Sequence, residues 1–272
     1  MFMDIGNVSS LTIACMAISG VLSVFVPIVA VIVLGVRKRM NWKALMLGIL
    51  LFIAFAGILE GLLHRLVMGA DPTSSALYRN TWLYMLYAGF AAGIFEETAR
   101  LIGFRFMIGV TENESIDTGI SYGLGHGGIE SLIVGGLLSM NNLLASYMLN
   151  SGLFGTIGET LSGAELEELN ESLRKLVETP SYMFLMTGIE RLIALVLQVA
   201  LSLLVLKAVS GKKWQYFICA ILIHAGIDMI AVLHVKGVIT SVFLTEGILA
   251  VTTAAVAVFA FRAFRAEAGS QP

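Results

Sequence analysis

Charge is scarce in this sequence. Only 13% of its 272 residues are Asp, Glu, Lys or Arg, 57% are hydrophobic, and the mean hydropathy is +0.88. A soluble domain carries about 25% charged residues, so this chain cannot cover itself with polar surface and is expected in a bilayer. Net charge is −2 and no basic tract is present, which leaves no case for a nucleic-acid partner. There are two cysteines, Cys15 and Cys219. Both lie in apolar stretches and are read as small packing residues, silent about redox compartment. The opening Met1-Phe2-Met3-Asp4 has no positive n-region, and the apolar run after it is too long for a signal peptide, so no cleavage is expected. No serine sits in a nucleophile elbow and neither cysteine has a histidine at a persuasive spacing, which argues against covalent catalysis. The soluble metalloprotease pattern His-Glu-x-x-His is absent too. With no internal repeat, residues 1–272 read as one integral-membrane domain.

What is present is a set of long apolar runs. A spanning helix needs about 20 residues, and seven spans are expected: about 10–36, 43–64, 81–110, 118–149, 181–209, 214–233 and 238–261. The fold class is all-α, a polytopic transmembrane helix bundle. Pro27 is expected to kink the first span. An acidic loop, Glu112-Asn113-Glu114-Ser115-Ile116-Asp117, separates the third span from the fourth. Ser162-Gly163-Ala164-Glu165 has the capping-box pattern, and Leu166, Leu169, Leu173 and Leu176 follow at helical spacing until Thr179-Pro180. An extra amphipathic surface helix over about 162–178 is therefore expected. Ten lysines and arginines flank the spans on one side (Arg37 to Lys43, Arg105, Lys207 to Lys213, Arg262, Arg265), and five on the other. That bias places the N-terminus outside a cell membrane and the C-terminus in the cytoplasm.

Charge inside the spans is costly and therefore informative. Glu96, Glu97 and Arg100 interrupt the third span, His126 and Glu130 the fourth, His224 and Asp228 the sixth. At 1.5 Å rise per residue, Glu96 lies about 18 Å from Ile108 at one end of its helix, His126 about 12 Å and His224 about 15 Å from the starts of theirs. These depths agree, so the three sets can share one cavity. Within each helix, residues three or four apart face one direction: either glutamate can pair with Arg100, His126 matches Glu130, and His224 matches Asp228. Gly123, Gly125, Gly127 and Gly128 surround His126 and permit close backbone approach.

Such a set permits hydrolysis. One glutamate can serve as general base towards a water while the other stays tied to Arg100. His126 can hold that water, and His224 can donate to the oxyanion of an attacked carbonyl. No cofactor is required by this scheme. A zinc ion held by Glu96, His126 and His224 is the near alternative. Two other classes use similar groups: a proton- or cation-coupled transporter, and an inert scaffold that binds helices through its glycine faces.

These motifs resemble those of the glutamic-type intramembrane proteases, which include the CAAX-prenyl endopeptidases and the PrsW proteins. Glu96-Glu97-x-x-Arg100 is similar to their paired-glutamate motif, Tyr122-x-x-x-His126 to the aromatic-x-x-x-His motif, and His224-x-x-x-Asp228 to the His-x-x-x-Asn/Asp motif. The similarity covers about residues 80–235 and lies nearest the YhfC family of intramembrane peptidases. It implies cleavage of a membrane-embedded protein or peptide substrate in or beside the lipid bilayer. It implies Glu96 as base, His126 as its partner on the water, and His224 with Asp228 around the oxyanion. Two departures stand out. Arg100 follows Glu97 by three residues where the CAAX pattern has four, and Asp228 replaces an asparagine. An ionised aspartate accepts rather than donates, so Asp228 is expected to orient His224.

Other buried charges have blander readings. Glu190-Arg191 lies deep in the fifth span, either beside the cavity or as a structural pair. Glu60 and His64 are expected to be wetted near an outer interface, and Glu246 in the last span has no assigned role.

Overall fold

The computed structural model describes residues 5–110, 114–158 and 160–265. The first four residues, and Glu112 and Asn113 of the acidic loop, lie outside it. Every regular element described is a helix. The long ones are α1 (Ser10–Val36), α2 (Trp42–Met68), α3 (Thr81–Ile102), α4 (Ile116–Asn150), α5 (Gly163–Glu178), α6 (Ser181–Ser210), α7 (Trp214–Val235) and α8 (Val242–Arg265). Six of them, all but α3 and α5, are long and apolar enough to cross a membrane by length and composition. The expected third span is α3, a helix of 22 residues. It is long enough to cross, at about 33 Å, but carries the glutamates and Arg100 in its second half. The chain is a multi-pass helical membrane protein.

Wide turns of the π type interrupt three helices. They occur over Ile53–Glu60 in α2, Gly103–Ile108 after α3 and Ser131–Leu137 in α4. Such turns frequently mark functional sites. Each of the three begins or ends within three residues of a buried or half-buried charge: Glu60, Arg100 or Glu130.

The contacts divide into two compact units. One comprises the residues up to Val26 together with Ser131–Leu192. Its apolar core gathers Val8, Met16, Leu149, Leu173 and Leu176. In it, α5 forms as its sequence pattern requires. Ser162 N–H and Oγ both donate to Glu165 Oε2, at 3.0 and 2.6 Å, and close the capping box.

The other unit runs from Pro27 to Glu130 and resumes at Ile193. Here α3 packs most extensively on α7, and the first part of α2 on the first part of α4. Lipid tails are as apolar as leucine, so helices in a bilayer associate by close packing rather than by hydrophobic exclusion. Glycine supplies that closeness. A Cβ on Gly125 would overlap the carbonyl oxygen of Leu45 in α2, and one on Gly48 that of Tyr122 in α4. On the other side of α4, a Cβ on Gly123 would come within 2.6 Å of Val199 Cα in α6. The start of α2 is fixed by Asn41, which caps the helix through Ala44 N–H and donates from its side chain to Thr118 in α4 at 3.0 Å. Helices held backbone to backbone have little freedom to slide, and α3, α4, α6 and α7 bring their polar residues together on that frame.

Candidate active site

The centre of the second unit is a continuous polar network in which Glu97 and Arg100 are the anchor. Arg100 has no exposed surface, and neither has Glu97. The guanidinium donates from Nη1 to Glu97 Oε1 at 2.7 Å, from Nε to Ser202 Oγ at 3.2 Å, and from Nη2 to Gln198 Oε1. A buried charge unpaired costs several kcal/mol, and three acceptors from two helices remove that cost. Glu96 Oε2 stays 3.8 Å from Arg100 Nη2. The pair at i,i+3 takes the cation, and the pair at i,i+4 is left for other work.

Glu96 is 7% exposed and faces the histidines. His126 Nε2 donates to Glu96 Oε2 at 2.8 Å, and Gln198 Nε2 to the same oxygen at 3.2 Å. The His126 ring is fully buried, with Phe52 edge-on at 4.9 Å and Tyr122 stacked at 6.1 Å. Tyr122, four residues before it, packs in turn on Phe104. His126 Nδ1, Tyr122 OH and Glu97 Oε2 have no hydrogen-bond partner among the described residues.

His224 closes the network from α7. Its Nδ1 lies 2.7 Å from Glu97 Oε1. That oxygen is already paired with Arg100 and acts as an acceptor, so Nδ1 carries a proton. Nε2 looks towards Glu96 Oε2 at 3.8 Å and Asp228 Oδ2 at 3.6 Å. Glu130 joins through Gln198, whose Nε2 donates to Glu130 Oε2 at 2.5 Å. The side chain of Asp228 is 34% exposed, whereas Glu97, Arg100 and His126 are sealed, so the network opens on its Asp228 side.

Of the residues singled out in the sequence, Glu96, Glu97, Arg100, His126, Glu130 and His224 are thus linked by hydrogen bonds, and Asp228 stands beside His224 beyond bonding distance. Two expectations change. Asp228, expected to orient His224, stands 3.6 Å from Nε2, while the packing of α3 on α7 brings Glu97 into a hydrogen bond with Nδ1, which spacing within α7 alone could not reveal. Glu60 is not wetted at an outer interface but is 8% exposed. It lies 3.3 Å from His64 Nε2, and His64 Nδ1 is 2.9 Å from Tyr87 OH. Glu60 closes the stretch of wide turns and is its one buried residue. Glu190 and Arg191 pair with each other at 2.5 Å in the first unit, and Glu246 is buried in α8. Gln198 and Ser202 were not singled out. Their signal is an amide and a hydroxyl four apart in an otherwise apolar stretch of α6, Leu192 to Leu206.

The donor set suits a zinc ion in chemical type, with two imidazoles and carboxylates. The clearest sign is at His224, where Glu97 accepts from Nδ1 while Nε2 faces Glu96, the usual support of a metal-ligating histidine. The residues that would hold the ion are Glu96, His126 and His224. Among the described residues, however, no three His, Cys, Asp or Glu are disposed as a metal-holding group. Glu96 Oε2 and His126 Nε2 bond directly to each other instead.

Fold and site together define a multi-pass membrane protein with an ionisable centre buried among its helices. Family comparison is specific. The sequence model of the YhfC intramembrane metalloprotease family matches residues 22–249. A relative from Bacillus subtilis (strain 168), described as uncharacterized membrane protein YhfC, is 32% identical over 248 residues, covering 91% of this chain and 94% of its own. The chain belongs to the YhfC intramembrane metalloprotease family. No solved structure matches it.

Proposed function

We propose that this chain is an intramembrane endopeptidase, which hydrolyses a peptide bond of a membrane-embedded protein or peptide in or beside the bilayer. Family membership supports a protease over the transporter reading. The observation that carries the mechanism is the placement of Glu96: its carboxylate is buried, faces two imidazoles and has no hydrogen bond from Arg100, which stays 3.8 Å away. In this reading Glu96 takes a proton from the attacking water, and His126 holds the reacting groups against it. His224, fixed by Glu97, stands on the far side of Glu96, where the carbonyl oxygen of the substrate develops negative charge. Arg100 pairs with the Glu97 oxygen that accepts from His224 Nδ1, and so helps keep the His224 ring in place. Asp228 and Glu130 border the open side, where substrate enters. The excess of basic residues beside one set of helix ends supports an N-terminus outside and a C-terminus in the cytoplasm.

A second reading has its own support in the Glu97 bond to His224 Nδ1, which leaves Nε2 facing Glu96, and in the family description. Zinc held by Glu96, His126 and His224 would supply a Lewis acid for the carbonyl and lower the pKa of the attacking water. Glu97 and Arg100 would keep the same duties as in the first reading.

One experiment tests both. Purified protein is analysed for metal and assayed on quenched-fluorescent peptides bearing an apolar span of about 20 residues, with and without chelator. Cleavage that survives chelation of metal-free protein supports the glutamate mechanism. Cleavage lost on chelation and restored by zinc supports the second reading. No cleavage under any of these conditions contradicts the protease assignment.

A further inference from the structure

We propose that Gln198 is a positioning residue of the reaction, whose amide holds the Glu96 carboxylate away from Arg100 and towards His126. The inference rests on the reading of Glu96 as the base. Gln198 is 3% exposed and belongs to α6, a helix that carries none of the motif residues. It touches three charged groups at once. Oε1 accepts from Arg100, while Nε2 donates to Glu96 at 3.2 Å and to Glu130 at 2.5 Å. The amide cannot be turned round. Reversal would set its N–H groups against a guanidinium, which has donors only, and its oxygen against two carboxylates, which accept only.

The consequence is a division of labour within the Glu-Glu-x-x-Arg segment. Arg100 has three acceptors already, in Glu97, Gln198 and Ser202. Without Gln198, Nη2 would lose its partner, and the nearest carboxylate oxygen is Glu96 Oε2 at 3.8 Å. Closing that gap would tie both glutamates to one cation and draw Glu96 from His126. A neutral side chain with one acceptor and one donor end is what separates the two pairs. The amide also couples Glu96 to Glu130, so a hydrogen bond from one group steadies carboxylates on α3 and α4 together.

Two substitutions separate this role from simple satisfaction of Arg100. Gln198→Leu removes both ends of the amide. Gln198→Glu keeps an acceptor for Arg100, and so protects folding, but at alkaline pH offers no donor to Glu96. Cleavage of the apolar-span peptide is measured for both, with Glu96→Gln as reference. The expected result is a fall in kcat of about 10²-fold in each variant, with KM within about threefold of the parent. An infrared readout needs no turnover: the carboxylate stretch missing from Glu96→Gln marks Glu96, and it is expected to move in both Gln198 variants. Parent-like kcat in Gln198→Glu overturns the proposal, because Gln198 would then serve Arg100 alone. Should Glu96→Gln itself retain full cleavage, the base assignment fails instead. An unmoved carboxylate band would then still refute the positioning of Glu96 by Gln198.

Discussion

Glu97 and His224 are joined across two helices by a 2.7 Å bond from Nδ1 to Oε1, and the same oxygen accepts from Arg100 at 2.7 Å. One carboxylate oxygen thus serves a buried cation and orients an imidazole. In the proposed reading Glu97 holds the site and Glu96 is left for chemistry, a distinction two adjacent glutamates do not reveal by themselves.

Glu97→Gln is expected to harm stability as well as cleavage. It leaves the buried Arg100 charge with neutral hydrogen-bond partners and only the Glu96 carboxylate 3.8 Å away, and breaking a buried pair costs about 3–5 kcal/mol. Thermal unfolding in detergent should show a clear fall in Tm. Replacing Arg100 as well, in Glu97→Gln/Arg100→Gln, should recover part of the stability but not the cleavage, since His224 then meets a neutral amide in place of the carboxylate.

The glycine contacts predict a contrast within one helix. Gly48→Ala puts a methyl onto the carbonyl oxygen of Tyr122, whereas nothing lies within 4 Å of a Cβ on Gly57 or Gly61. Overpacking costs about 1–3 kcal/mol, occasionally more, and backbone cannot move aside as a side chain can. Gly48→Ala should therefore lower Tm and cleavage together, because displacing α2 from α4 shifts His126. Gly57→Ala should be neutral or slightly stabilising in the same measurement.

Helix α5 should fray in acid. Glu165 is held below the usual carboxylate range by hydrogen bonds from the side chain and backbone of Ser162. A depressed folded pKa gives stability that is complete above the unfolded value, about 4.3, and is lost as pH falls through the folded value. Hydrogen exchange at the first turn of α5 should accelerate over that window in the parent. In Glu165→Gln the acceleration should be absent, with weaker protection at neutral pH.

Much of this architecture is legible in the sequence, because a bilayer penalises charge so heavily. Apolar runs locate the membrane helices, and Glu96, Arg100, His126 and His224 attract attention because they interrupt those runs. The capping box at Ser162 is likewise a local pattern, and α5 forms where it predicts. Less legible is anything settled between helices. Spacing offers Asp228 as the partner of His224 and both glutamates to Arg100; only the packing of α3 on α7 decides for Glu97. Gln198 and Ser202 escape notice because a neutral amide or hydroxyl in an apolar helix costs far less than a charge. Glu60, expected to be wetted from its position towards the end of its span, is buried instead and lies 3.3 Å from His64 Nε2, a contact along the helix that its depth in the span does not disclose.

The account stands most directly on Glu96. Glu96→Gln keeps the size and much of the hydrogen-bonding capacity of the side chain but removes its basicity. Cleavage of the apolar-span peptide by purified protein, followed by mass spectrometry of the products, should fall at least about 10³-fold, with Tm close to that of the parent. Parent-like cleavage by Glu96→Gln would contradict the account, since neither the water-activating base nor the carboxylate donor of a zinc site would then be needed.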